Sequence, residues 1–505
     1  MAYFIFNKRN LRVKQRITFL WHDYETFGVD PRRNRPAQFA AIRTDEELNQ
    51  VGDPIMIYCQ PAPDFVPDPL SCLITGITPQ HCLQHGLPEY EFAARIEREL
   101  SAPNTIGVGY NTIRFDDEVT RFMFWRNLID PYAREWQNGC GRWDIIDLVR
   151  TAYALRPEGI EWPLHEDRTP SLKLEDLSKA NGLAHEAAHD ALSDVKATIA
   201  LARLIREKNP KLFEFYLKMR QKDNVAKELG LPVVPEHARP FLHISGMFPA
   251  AQGCMSVMWP LAMHPKNKNE LLAWDLRADP AELARLNAQE IKERLFTKVQ
   301  DLPEGVLRLH VKGVHLNRSP VVISHLKTLS DMQAKRWGID MEEIFTHAYK
   351  ARDLPDMSAI WAEVYQRDVP EEATDVDEDL YGGFIGNDDR RRLNYLRGLS
   401  PEELAVENMG FDDERLGELV FRYRARNFPQ TLSGEEKALW HEHCENRLIQ
   451  GVNGSLTLSQ VQDMLDELMM AREGMDDEKT ESEIQILESV YDYVENLLYT
   501  DDPDE

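Results

Sequence analysis

The sharpest chemical feature of the chain is the pair Asp23 and Glu25, in HDYETFG. The stretch Ile17 to Glu25 (ITFLWHDYE) reads as a strand rich in β-branched and aromatic residues. Residues two apart on a strand face the same way, so the two carboxylates stand side by side. They repel one another unless something positive lies between them, and a hard divalent cation with oxygen ligands meets that need. A D-x-E tripeptide is equally an ordinary solvated approach to a turn. Asp116, in RFDDEVTR, opens a helical pattern, where Asp is a favoured N-cap whatever the function, with Asp117 and Glu118 as first-turn acids. His189 and Asp194, in HDALSD, begin a long amphipathic stretch. A five-residue step turns about 140° around a helix, so the two converge only if His189 precedes the helix. Asp190 competes but points differently. The plainer account is a capping histidine followed by an exposed acid. Gathered into one site, Asp23, Glu25, Asp116 and Asp194 form four carboxylates that cannot all ionise at close range without cations. Two divalent ions would neutralise them and clamp a phosphate, and a nearby His189 is suited to taking a proton from water near neutral pH.

The elements that must bring these residues together can be read in outline. Ala37 to Arg43 and Pro54 to Cys59 are two further strand signals, and Thr105 to Val108 is a short apolar run. Asp116 onward and His189 to Arg206 have helical spacing. Strands followed by mixed strands and helices predict an α/β domain with a partly antiparallel sheet. After about Pro210, and one helical segment, come five strand-like runs: FLHISGMF, SVMWPLAM, ELLAWDL, VLRLHVKGVHL and PVVIS. They predict a small barrel or compact β domain. A helix is expected near Ala334 to Lys350. The acidic Glu371 to Leu380 reads as a linker or solvated loop, and residues from about 388 to 498 are mostly helical in period.

The 505 residues carry 59 Lys+Arg and 85 Asp+Glu, for a net charge of −26. The imbalance is uneven: residues 1–210 sum to −5, 211–360 to +3 and 361–505 to −24. A phosphate-binding surface therefore remains open in the first two parts. Apolar residues at 43% and charged residues at 29% exclude collagen-like and wholly disordered chains. No run is long and apolar enough for a membrane helix, and no secretory signal is visible. Six scattered cysteines without a C-x-x-C pair argue against structural zinc and a disulfide framework, and fit a cytoplasmic protein.

With HDYETFG, RPAQFAAIRTD (35–45), LITGITPQ (73–80), RFDDEVTR, ALRPEGI (154–160), KANG (179–182), HDALSDVKATIA, HISGMF (243–248) and YRARNFP (423–429), the chain resembles the DEDDh exonucleases, and among them the bacterial exodeoxyribonuclease I family. The resemblance extends over nearly the whole chain. It implies an N-terminal extension over 1–16, an α/β ribonuclease H-like exonuclease domain over 17–208, an SH3-like α+β/β-barrel domain over 209–365 and an all-α C-terminal domain over 366–505. It implies a processive 3′→5′ exonuclease that degrades single-stranded DNA to 5′-mononucleotides in DNA repair and recombination, with two Mg2+ ions for which Mn2+ can substitute. Asp23, Glu25, Asp116 and Asp194 would hold metal, His189 would be the general base, and Glu25 would also lie against the terminal nucleotide.

Arg121, Tyr132, Trp136 and Arg150 match DNA-contacting positions. Tyr132 and Trp136 share a face if their stretch is helical, and are otherwise ordinary core aromatics. Lys173 stands where the family has a substrate-contacting Arg, keeping the charge but losing the bidentate fork. Arg156 matches a residue that binds the acidic-hydrophobic tail of single-stranded-DNA-binding protein. A monomer without membrane contact is expected. Arg422, Arg424 and Arg426, in an acidic region, are read as pairing with neighbouring carboxylates in preference to DNA. Two alternatives stand beside this: a DEDDh ribonuclease or proofreading exonuclease, and an inactive nucleic-acid-binding scaffold.

Overall fold

The computed structural model describes residues 16–183, 190–234, 237–366, 374–407, 409–475 and 477–499. Five strands form the first sheet: β1 (Thr18–Thr26), β2 (Pro36–Thr44), β3 (Ile55–Tyr58), β4 (Thr105–Gly109) and β5 (Gly141–Asp144). Their spatial order is β3-β2-β1-β4-β5, with β1 antiparallel to β2 and parallel to β4. Alternation along β1 divides its side chains between two cores. Phe19 and Trp21 pack with Val195 and Ile199 of the helix Ala191–Lys208. Leu20 and Tyr24 pack on the other face with Ile96 of the helix Glu89–Leu100 and Val119 and Met123 of the helix Asp116–Arg126. Asp23 and Glu25 share the parity of Trp21, which turns them toward the helix that carries Asp194.

β1 is ladder-bonded unequally on its two edges. β2 accompanies it as far as Thr26, whereas β4 pairs only with Thr18 to Trp21. The edge of β1 from His22 onward is thus open on the β4 side, at the carboxyl end of the parallel strands.

The second sheet, fully antiparallel, runs β10-β6-β7-β8-β9 from β6 (Phe241–Ile244), β7 (Met255–Met263), β8 (Glu270–Asp275), β9 (Val311–His315) and β10 (Val321–Ile323). It is curled, with a register irregularity at Pro260 to Ala262. Its core is continuous with that of the first sheet. The single helix expected near 334–350 is two, Asp331–Arg336 and Met341–Arg352. The break is at Gly338, whose φ of +65° ends the first helix in a conformation that glycine adopts without strain.

The last part is helical and docks on the first in two apolar clusters. One joins Phe122 and Trp125 to Leu393, Leu416 and Leu419, and the other joins Phe27 and Ile77 to Val461, Leu465 and Val490. Between them lies a buried ionic hub. Asp64, of the first domain, is bonded to Arg426 at 2.7 Å and His443 at 3.2 Å, while Asp377 meets Arg426 and Arg447. Arg422 binds Asp375 at 2.7 Å, and Arg424 binds Glu436. Arg422, Arg424 and Arg426 are therefore paired with carboxylates, as expected. The acidic segment before them is not the solvated loop its composition suggests: Val376, Asp377 and Leu380 are buried, and the Val376 carbonyl accepts from Trp125 Nε1 at 2.7 Å. All six cysteines are free and buried. Among the described residues no helix is long and apolar enough to cross a membrane.

Candidate active site

Asp23 and Glu25 on β1 and Asp194 in the first turns of the helix Ala191–Lys208 bring carboxylate oxygens within 4.8 Å of one another. Three oxygen donors at that spacing, on two different elements, are the donor set a hard divalent cation takes. Asp23, Glu25 and Asp116 have no Lys or Arg ion pair among the described residues. The electrostatics follow from that. Burial pushes Asp23 well above the usual carboxylate range, reinforced by Asp116, Glu25 and Asp194. Burial likewise raises Glu25 to about 8, with Asp194 next in effect. Asp116 also rises to about 8, as burial and Asp117 outweigh the backbone hydrogen bonds that pull it down. The carboxylates fit a cation, and burial and mutual repulsion disfavour the charged forms of Asp23, Glu25 and Asp116.

Asp116 does not cap its helix. It is the first helical residue, and Oδ1 accepts from the backbone N–H of Tyr24 at 3.1 Å across the open edge of β1. The neighbouring acids differ from the expected first-turn pair. Asp117 is fully buried and binds Arg134 at 2.5 Å and Arg142 at 3.1 Å. Glu118 accepts from Arg121 at 2.7 Å and from the Tyr381 hydroxyl. Adjacent aspartates thus serve opposite purposes, one in the acidic cluster and one in a buried ion pair.

His189 lies outside the described residues. Asp190 caps the helix by accepting from Ser193 N–H at 3.0 Å, and it still raises Asp23 and Glu25 from its place at the helix start. A positioning residue that composition did not reveal is Gln38. It stands opposite Glu25 in the β1–β2 ladder, and its Oε1 accepts from Ala191 N–H at 3.3 Å while its Nε2 donates to Tyr58 OH at 3.1 Å. It ties the start of the Asp194 helix to the sheet; its place in RPAQFAAIRTD was the available signal.

A cleft of about 700 Å³ has a wall of Ile113, Arg114 and Glu118, neighbours of Asp116 in sequence, while the cluster's own carboxylates lie outside its lining. Arg150 lines it, bonded to Asp147 at 2.6 Å. Arg121 is buried and forked onto Glu135 at 2.8 and 2.9 Å. Tyr132 and Trp136 flank the 3₁₀ turn Ala133–Glu135 and do not lie on the α-helix their spacing allowed. Tyr132 is half-buried beneath the Arg121 guanidinium, 5.2 Å from its ring centre, and Trp136 is 64% exposed, so it is no core residue. Lys173 is exposed at the N-cap of the helix Leu174–Ala180, and Arg156 is exposed at the end of the helix Ile146–Leu155.

Comparison with known proteins meets the same three parts. Residues 20–202 match the family described as Exonuclease, residues 220–367 the Exonuclease I SH3-like domain and residues 374–497 the Exonuclease I C-terminal domain. The chain belongs to the exonuclease I family. The exodeoxyribonuclease I of Haemophilus influenzae is 44% identical over 433 residues, covering 85% of this chain and 90% of the relative. The structure of Escherichia coli exonuclease I with a 5cy-dT13 oligonucleotide aligns with a TM-score of 0.85 at 40% identity, over 96% of this chain and 100% of the other. An ExoI/SSB-Ct complex aligns with a TM-score of 0.86 at 41% identity, with the same coverage. Family membership makes this protein a hydrolytic exonuclease acting on DNA, built as an exonuclease domain of ribonuclease H-like fold, an SH3-like domain and a helical domain, and using divalent metal.

Proposed function

We propose that this exonuclease degrades single-stranded DNA processively from the 3′ end to 5′-mononucleotides, with two Mg2+ ions as its metals, in DNA repair and recombination. The observation that carries the reading is the approach of Asp23, Glu25 and Asp194 to within 4.8 Å at the open end of β1. Magnesium held there supplies positive charge to the scissile phosphate and acidifies water. Asp23, Glu25 and Asp194 would hold it, with Asp116 completing the set and fixing Tyr24, and Mn2+ shares the same oxygen preference. His189 accepts the proton of the attacking water, and Glu25 also abuts the terminal nucleotide.

The exposed Trp136 and the Tyr132 ring offer faces for bases, and Lys173 a cation for phosphate. Arg121 and Arg150 flank the path while committed to Glu135, Glu118 and Asp147, so each meets phosphate by sharing its guanidinium. The strand is retained because the cleft wall draws on all three domains, through Arg150, His243 and Tyr381 among others. The similar ExoI/SSB-Ct structure supports a single-stranded-DNA-binding protein as partner, with the exposed Arg156 as a contact for its acidic tail, and the enzyme acts as a monomer.

The test uses DNA and RNA oligonucleotides labelled at the 5′ end, with and without magnesium, and compares native protein with Asp194→Ala. A ladder shrinking from the 3′ end of DNA, only for native protein with metal, is expected. Equal degradation of RNA would instead mark a ribonuclease.

A further inference from the structure

The cleft contains more arginine than its motifs announce, and the guanidinium groups fall into two kinds. Arg150 in the wall, and Arg121 and Arg142 near Arg318 but outside the lining, are spent on carboxylates: Asp147 for the first, Glu118 and Glu135 for the second, Asp117 and Glu135 for the third. Arg32, Arg114 and Arg318 line the same cleft, are solvent-exposed, and make no side-chain hydrogen bond or ion pair among the described residues. They come from separate places in the chain. Arg32 is on the loop after β1, Arg114 is two residues before Asp116, and Arg318 is in the turn between β9 and β10 of the SH3-like domain. Arg32 lies 6.0 Å from the Tyr381 ring centre. Arg318 faces two further cations, Arg142 and Arg121.

The acids of the cleft do not cancel this set. Glu118 is held by Arg121 and by the Tyr381 hydroxyl, Asp147 by Arg150, and Asp144 accepts backbone N–H groups of Asn111 and Ile113. Asp30 accepts the N–H of Arg32 at 2.9 Å without meeting its guanidinium, and Glu270 is engaged by Asn267. An exposed, unpartnered guanidinium in a concave wall is the group best placed to take an anion, since it breaks no existing pair to do so. Three of them along one cleft match a ligand with repeated phosphates.

We propose that Arg32, Arg114 and Arg318 form the phosphate track of the cleft, gripping the backbone of the strand upstream of the scissile bond. This rests on the single-stranded DNA reading above. Arg114 grips next to the chemistry, and Arg32 and Arg318 grip from opposite domains, so a strand held by both crosses the junction of the exonuclease and SH3-like domains. Arg121 and Arg142 shape the wall behind the track. Because all three cations are exposed and unpaired, glutamine in their place leaves no buried partner stranded and the fold intact.

The experiment measures binding of a fluorescein-labelled dT oligonucleotide by the full chain in EDTA, by anisotropy, across a potassium chloride series. Each phosphate contact on a single strand contributes about 0.7 to the slope of log affinity against log salt. Arg32→Gln, Arg114→Gln and Arg318→Gln should each flatten the native slope by about that amount, and the triple variant by about 2. The exposed Arg391, paired with Asp388 away from the cleft, is the control, and Arg391→Gln should keep the native slope. Native slopes in all three single variants, with DNA still bound, overturn the track. A control variant that flattens as much as the three also overturns it, because net charge would then suffice. A native protein that binds no DNA instead removes the parent reading, and the track with it.

Discussion

Metal loading of the acidic cluster should expel protons, and the number follows from how far burial and mutual repulsion raise its acids. Glu25 and Asp116 both sit at about 8 without metal, and Asp23 is raised as well. At pH 7 a group at about 8 is about nine-tenths protonated, and the values belong to the cluster as a whole. Carboxylates must give up those protons to ligate a cation. Binding of magnesium at pH 7 should therefore release about two protons from Glu25 and Asp116, with Asp23 adding in the same direction, and apparent affinity should climb by about two log units per pH unit between pH 6 and 7 before levelling above pH 8 to 9. The assay is calorimetric titration of metal-free protein in buffers of different ionisation enthalpy, where the slope of observed heat gives the proton count. Asp194→Asn removes one of the charges that raise Glu25, so its count should fall. A heat independent of buffer, or an affinity flat from pH 6 to 8, would refute the claim that these acids lack an internal counter-charge.

Trp136→Ala should weaken oligonucleotide binding by about 1–3 kcal/mol, the value of one base stack, with the melting temperature unmoved because the ring is 64% exposed; anisotropy and a thermal melt check both. Asp64→Asn should destabilise docking of the helical domain by about 3–5 kcal/mol by leaving the buried Arg426 and Arg35 to share Asp377 alone, and a urea titration losing under about 1 kcal/mol would contradict it. Burial alone would raise Asp64 and Asp377, but Arg426 and its neighbours hold both below the carboxylate range. Their stabilisation is full above the unfolded value of about 3.9 and drains away as pH falls below it, which acid unfolding followed by calorimetry would register. Lys173→Arg restores a planar fork at an exposed position, and should tighten DNA binding by about 1 kcal/mol or less without changing stability.

What could be read from the sequence depended on whether the deciding partner lay close by. The D-x-E pair was legible because a strand's two-residue period is enough to align Asp23 with Glu25. The five strand runs after Pro210 were legible because turn residues bound each of them. Asp116 was not separable from an N-cap, since its partner, the Tyr24 N–H, is 92 residues away. Asp117 looked like any first-turn acid because its arginines come from a 3₁₀ turn and from β5, which is only four residues long. The segment around Val376 looked solvated because its acids outnumber its apolar residues, yet Asp375 and Asp377 are neutralised by arginines far along the chain. Charge counting treats a carboxylate as seeking water, and these ones found guanidinium first.

The bond from Tyr24 to Asp116 acts as a substitute rung where β4 has stopped accompanying β1. An alanine at 116 would therefore remove a negative charge and also unfasten a strand, and the two losses would be indistinguishable in a rate. Asparagine keeps the acceptor oxygen and discards only the charge. Any defect present with alanine and absent with asparagine reports on carpentry, and whatever the two share reports on chemistry.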